Sequence, residues 1–260
     1  MNRLRTILFA CTAIMTLALS AGAGADSKLD ISNWKEILPE AIYTRLVEES
    51  IKNLHSYTAS ASQFNQNGRR VQAEATNLIV YAEIALRSGQ SNAVGLRQAA
   101  EELLTAAKAK KGDEAKKLVA SLANYKKLTG TASGDYDLAK STTMKIIMDG
   151  SLKEIDRNLT PYKRLNATSI AVKGKQEEVI AAMYKVAAMS VATTAHVPTS
   201  DLPAGKTGKD WLSAAEEMRK HSLAAAAAAT AKKLPELKKA VNDLSASCTK
   251  CHEDFRVEKN

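Results

Sequence analysis

Residues 234–257 read LPELKKAVNDLSASCTKCHEDFRV. Leu234, Leu237, Val241, Leu244, Cys248, Cys251 and Phe255 recur at intervals of three and four, the spacing that lines one stripe of an α-helix. Pro235 suits the first turn of such a helix, where its missing N–H goes unused. The stripe sets both cysteines on the side that must face other helices. His252 adjoins them, because residues three and four apart share a face. Glu253 and Asp254 fall on the far side, where solvent is expected. The segment therefore predicts a helix over about 235–257 that turns two thiols and an imidazole toward a packed interior.

Working outward, the same period runs through most of the chain, and no stretch alternates as a strand would. Composition agrees: 45% hydrophobic, 25% charged and only 5% aromatic residues, with alanine and lysine plentiful, favour helix over sheet. Candidate helices are 36–60, 70–89, 93–111 and 113–128, then 137–159, 174–196, 209–231 and 235–257. Gly68, Gly89, Gly112, Gly130 and Gly134 punctuate the first four; Pro161, Gly174, Pro198, Pro203 and Gly205 punctuate the second.

These two sets of four look like a duplication. Ala99-Ala100-Glu101-Glu102-Leu103 matches Ala214-Ala215-Glu216-Glu217-Met218 at an offset of 115. Lys116-Lys117-Leu118-Val119 and Leu122 match Lys238-Lys239-Ala240-Val241 and Leu244 at an offset of 122. The difference of seven residues falls around the alanine-rich stretch 223–231. Carried forward, the second offset sets Lys126, Thr129 and Gly130 opposite Cys248, Cys251 and His252. The expectation is an all-α protein of two tandem four-helix bundles, residues 26–130 and 131–260, each long enough to bury a core. Phe64, Tyr57, Tyr81, Tyr125 and leucines are available to fill the first, and the seven extra residues are expected to lengthen the third helix of the second.

Residues 1–25 have the makings of a secretory leader: Arg3 and Arg5, an apolar run from Thr6 to Ser20, and small residues before Asp26. A lipoprotein leader ending at Cys11 fits less well, since Phe9 is bulky and the apolar run before it is short. Export to the periplasm is the expectation, with no later segment of membrane-spanning length. Formal charge is +9, or +7 without Arg3 and Arg5, spread over both halves. That balance suits acidic protein partners and gives no nucleic-acid footprint.

Without the leader, Cys248 and Cys251 are the remaining cysteines, and Cys248-Thr249-Lys250-Cys251-His252 reads C-x-x-C-H. That is the attachment signature of a c-type haem: two thiols add to two vinyl groups, and the next histidine reaches the iron. A zinc site needs four ligands, and His55, His196 and His221 are scattered. A thioredoxin-type pair belongs beside a βαβ pattern, which is absent. The cofactor expected is one covalent haem c.

A C-terminal helix ending Cys-x-x-Cys-His-Glu-Asp-Phe-Arg, last in a four-helix array, resembles the cytochrome c prime superfamily. The resemblance is specific over about 240–256 and extends in helix order over about 137–257. It implies a four-helix bundle enclosing one haem, with Cys248 and Cys251 as thioether residues, His252 as proximal ligand and Arg256 as the basic residue near the haem. Members of that family often dimerise, which makes a homodimer one expectation. They also come in two kinds, with an open distal side or with methionine from the first helix at the sixth position.

All five methionines after the leader (Met144, Met148, Met183, Met189 and Met218) lie in the second half. Met144 and Met148, with Leu152, Ile155 and Leu159, follow one stripe and are the candidate distal ligands, against the plainer reading of core packing. His196, beside a Pro-rich loop, is expected to face solvent. Methionine ligation implies electron transfer with redox partner proteins. An open site implies capture of nitric oxide or carbon monoxide, and the first half offers a docking surface in a third reading. No Gly-rich phosphate loop, nucleophile elbow or H-E-x-x-H is present, so an enzyme is not expected.

Overall fold

The computed structural model describes residues 33–130, 137–152, 175–198 and 202–255. The leader with Cys11, the stripe positions Ile155 and Leu159, and Arg256 lie outside the described residues. Among those described, all regular structure is helical. In the first half these are α1 (Trp34–Ile37), α2 (Glu40–Tyr57), α3 (Ala61–Arg87), α4 (Ala93–Lys108), α5 (Gly112–Leu122) and a 3-10 turn at Tyr125–Lys127. The second half has α6 (Leu138–Ser141), α7 (Met144–Ile146), a π segment (Ile147–Leu152), α8 (Gln176–Ala195), α9 (Gly208–Thr230) and α10 (Leu234–Phe255).

Four helices depart from the periodicity; the one expected over 113–128 ends at Leu122, before a 3-10 turn at Tyr125–Lys127. The first splits at Leu38–Pro39, and α2 starts directly after the proline. α3 starts nine residues earlier than expected because the Ser60 hydroxyl caps it, accepting from the Gln63 N–H at 3.2 Å. Gly68 therefore sits inside a helix. One interior glycine costs about 1 kcal/mol, which a helix buried along residues 71–85 outweighs. The helix expected over 137–159 breaks at Thr142, whose backbone is extended (φ −111°, ψ 172°). It restarts at α7 under a Thr143 cap and widens into the π segment.

α4 and α9 end alike. Lys111 N–H donates to the Ala106 carbonyl and Lys233 N–H to that of Ala228, both at 2.9 Å. Between them Lys110 and Lys232 adopt left-handed φ of 57° and 56°, the six-to-one closure of a Schellman cap. The two lysines lie 122 residues apart, the second offset read from the sequence. The expected lengthening is also present: α9 has 23 residues and α4 has 16, a difference of seven.

The first half fills its interior with side chains. Phe64, Tyr81 and Tyr125 are buried with Leu54, Leu78, Leu96, Leu103 and Leu122; Tyr57 is half-buried. Each such burial is worth about 1.5–3 kcal/mol. The halves, however, do not close separately. α8 turns Ala181, Ala187, Ala188, Met189, Val191 and Ala192 into the core formed by α2–α5. Its other side gives Val179, Met183 and Val186 to a second cluster with Met218 of α9 and Leu237, Val241 and Leu244 of α10. A helix apolar all round is one buried on both sides.

Two buried polar groups brace α3. Glu83, with its carboxyl buried, pairs with Arg97 and Arg87, each at 2.7 Å. Glu74, 2% exposed, accepts hydrogen bonds from Ser50 (2.8 Å), Asn53 (2.8 Å) and Asn77 (3.0 Å).

Candidate functional site

α10 is buried through Leu237, Ala240, Val241 and Leu244 and loses cover over its last two turns. Cys248 and Cys251 are half-buried and His252 is exposed at the rim. All three nevertheless line one cavity of about 620 Å³, within the 300–1,000 Å³ typical of cofactor sites. Met144, Met148 and Leu152 line it from α7 and the π segment, Val186 and Thr193 from α8, and Trp211 and Met218 from α9. The walls are mainly apolar side chains, and the thiols and imidazole reach it from α10.

Trp211 links α8 and α10 beside the cavity. Its indole N–H donates to the Thr193 carbonyl at 2.9 Å, and its ring meets Phe255 edge-on at 5.2 Å. Asp254, expected in solvent, instead pairs with Lys206 at 2.7 Å, tying the α8–α9 connection to the end of α10. Glu253 is exposed as expected.

Neither Cys248 nor Cys251 is in a disulfide. Burial, followed by the neighbouring Cys248 and Asp254, pushes the Cys251 thiol up to about 11. A raised pKa keeps the Cys251 thiol protonated, so it is not the low-pKa attacking thiolate of a redox pair. Nor do the described residues gather three His, Cys, Asp or Glu side chains that could hold a metal ion, so the side-chain cage a bare zinc ion requires is missing there.

The remaining candidates sort clearly. Met144 and Met148, the candidate distal ligands, line the cavity, and Met218 joins them. Met183 and Met189 are fully buried packing residues. His196 does not face solvent as expected: it is half-buried, with Nε2 2.8 Å from the Thr142 hydroxyl. That hydroxyl also donates to the Leu138 carbonyl at 2.7 Å. Burial holds the His196 pKa below the ordinary value, partly offset by Asp137. His221 pairs with Glu217 at 3.0 Å. Neither His196 nor His221 lines the cavity.

Sequence reading missed Trp211, Thr193 and Met218. Trp211, Ala215 and Met218 do follow helical spacing, which marks them as core-facing. Nothing in that spacing distinguishes lining a hollow from filling it.

Among the described residues no helix is long and apolar enough to cross a membrane. Comparison with known proteins finds no matching family model, curated protein or solved structure. The likeness carried by residues 240–256 therefore stands on those residues alone.

Proposed function

We propose that this chain is an exported, periplasmic monohaem c-type cytochrome of the cytochrome c prime kind, passing electrons between protein partners. The observation that carries the reading is the C-x-x-C-H triad opening onto one largely apolar cavity that Met144 and Met148 also line. A bound haem c would supply a one-electron iron couple.

The chain's own groups fit that cofactor. Cys248 and Cys251 are in no disulfide and stand one turn apart, so they would add across two vinyl groups. His252, beside them, offers its imidazole as proximal ligand. Met144 or Met148 offers a thioether on the distal side, and His/Met ligation favours electron transfer at a raised potential. The aliphatic and aromatic lining, with Trp211 and Phe255 in edge-on contact, would limit water around a bound haem. Lysines on the surface suit an acidic partner.

The tandem-bundle reading has its own support. Ala99, Ala100 and Leu103 repeat the burial of Ala214, Ala215 and Met218, and Val119 and Leu122 that of Val241 and Leu244. The paired left-handed lysines keep the same offset. The first half also has a groove at the corresponding place, between α2 (Glu48, Ile51, Lys52, His55) and residues 123–127. There Lys126 stands where the second half has Cys248.

The deciding experiment is mass spectrometry and absorption spectroscopy of the full chain expressed with a cytochrome c maturation system. One added haem and a low-spin ferric spectrum are expected. Unmodified thiols would end the reading. A high-spin spectrum with rapid carbon monoxide uptake after reduction would replace electron transfer by gas binding at an open site.

A further inference from the structure

We propose that the first half positions the methionine wall of the cavity. Ser151, tied through Asn77 to Glu74, and Gly150, seated on Ala73, fix the π segment from which Met148 reaches the site. What Met148 does there rests on the cytochrome reading; the anchoring does not.

The π segment has two working sides. Met148 and Leu152 line the cavity, while Ile147 and Ser151 are fully buried. The Ser151 hydroxyl donates to the Asn77 side-chain oxygen at 2.6 Å. Asn77 in turn donates to Glu74 at 3.0 Å, and Ser50 and Asn53 of α2 hold that carboxyl. A buried carboxyl is tolerated only when donors surround it, so this chain of bonds is specified from α2 to the cavity wall. It joins residues 74 positions apart.

Packing says the same. A Cβ built on Gly150 would lie 2.6 Å from the Ala73 Cβ, and the next atom of Ala73 is its Cα at 3.5 Å. Only glycine lets the segment sit this close to α3. A π turn is rare and less favourable than the α-helix around it, and it persists where the surroundings over-determine it. α3, buried on all sides through this region, is the rigid support. The cofactor-free half thus acquires a role: it sets where a distal thioether stands.

The test uses the full-length chain as purified after maturation, with Ser151→Ala, Gly150→Ala, Met148→Leu, Ser151→Ala in the Met148→Leu background, and Ala73→Gly/Gly150→Ala. Readouts are amide hydrogen exchange over residues 147–152 and the low-spin fraction of the ferric iron. Ser151→Ala and Gly150→Ala should raise that exchange about three- to tenfold, the weight of one net hydrogen bond, and leave α10 amides unchanged. Both should move iron from low to high spin. Ala73→Gly/Gly150→Ala should restore both signals, and Ser151→Ala should add no spectral change once Met148 is Leu. Unchanged exchange overturns the anchoring. Raised exchange with an unmoved spin state, or a second spectral increment in the Met148→Leu background, overturns the positioning of the ligand. A chain carrying no haem defeats the cytochrome reading alone, and exchange still decides for or against the anchor.

Discussion

Cys248, Cys251 and His252 share a helical face by spacing, yet their covers differ: the thiols are half-buried and the imidazole stands at the rim. Attachment and ligation are therefore separable. His252→Ala should keep the added haem mass while losing the wild-type ferric spectrum. Cys248→Ala/Cys251→Ala should leave no haem-stained band on a denaturing gel. His196 gives a second prediction at this scale. Burial lowers its pKa from the ordinary 6.5, so the unfolded chain binds a proton more readily than the folded one. Its contribution to stability is present above that ordinary value and is lost as pH falls below it through the depressed pKa. Urea midpoints across this window should show an acid slope that His196→Gln flattens.

Helix ends and buried pairs carry the next level. Lys232 holds a left-handed φ of 56°, a conformation that costs a residue with a Cβ about 1–2 kcal/mol. Glycine there loses more chain entropy on folding, so Lys232→Gly should raise stability by about 0.5–1 kcal/mol, read as a higher urea midpoint at unchanged m. The Glu83–Arg97 pair is the opposite case. Arg97→Met leaves the Glu83 carboxyl buried with Arg87 as its charged neighbour. The expected loss is about 3 kcal/mol, at the low end for breaking a buried pair. Glu83→Gln/Arg97→Met should lose less than Arg97→Met alone, because no charge is then stranded. Equal losses would show that packing, not charge, sets the cost.

Because α8 belongs to both cores, neither half is a complete packing unit. Expressed alone, residues 131–260 would expose Ala187, Ala188, Met189, Val191 and Ala192 of α8 to water. That fragment should bind hydrophobic dye and unfold at lower urea than the full chain. Mixing it with residues 26–130 should reverse both effects. An isolated second half as stable as the whole would show that the shared core contributes little.

Periodicity and glycine–proline punctuation were enough to determine that the described residues are helical and that α10 buries a stripe through Leu237, Val241 and Leu244. Those are local properties, set by which residues recur on one face of a helix. The sequence offset likewise anticipated the seven-residue difference between α4 and α9. Tertiary structure decided the rest, because it depends on which faces meet. A two-sided apolar helix such as α8 does not say what covers each side. Spacing does not separate Met218 and Trp211, which border a hollow, from Met183, which fills one. A serine at 151 does not announce a partner 74 positions away, nor a glycine at 150 the alanine pressed against it.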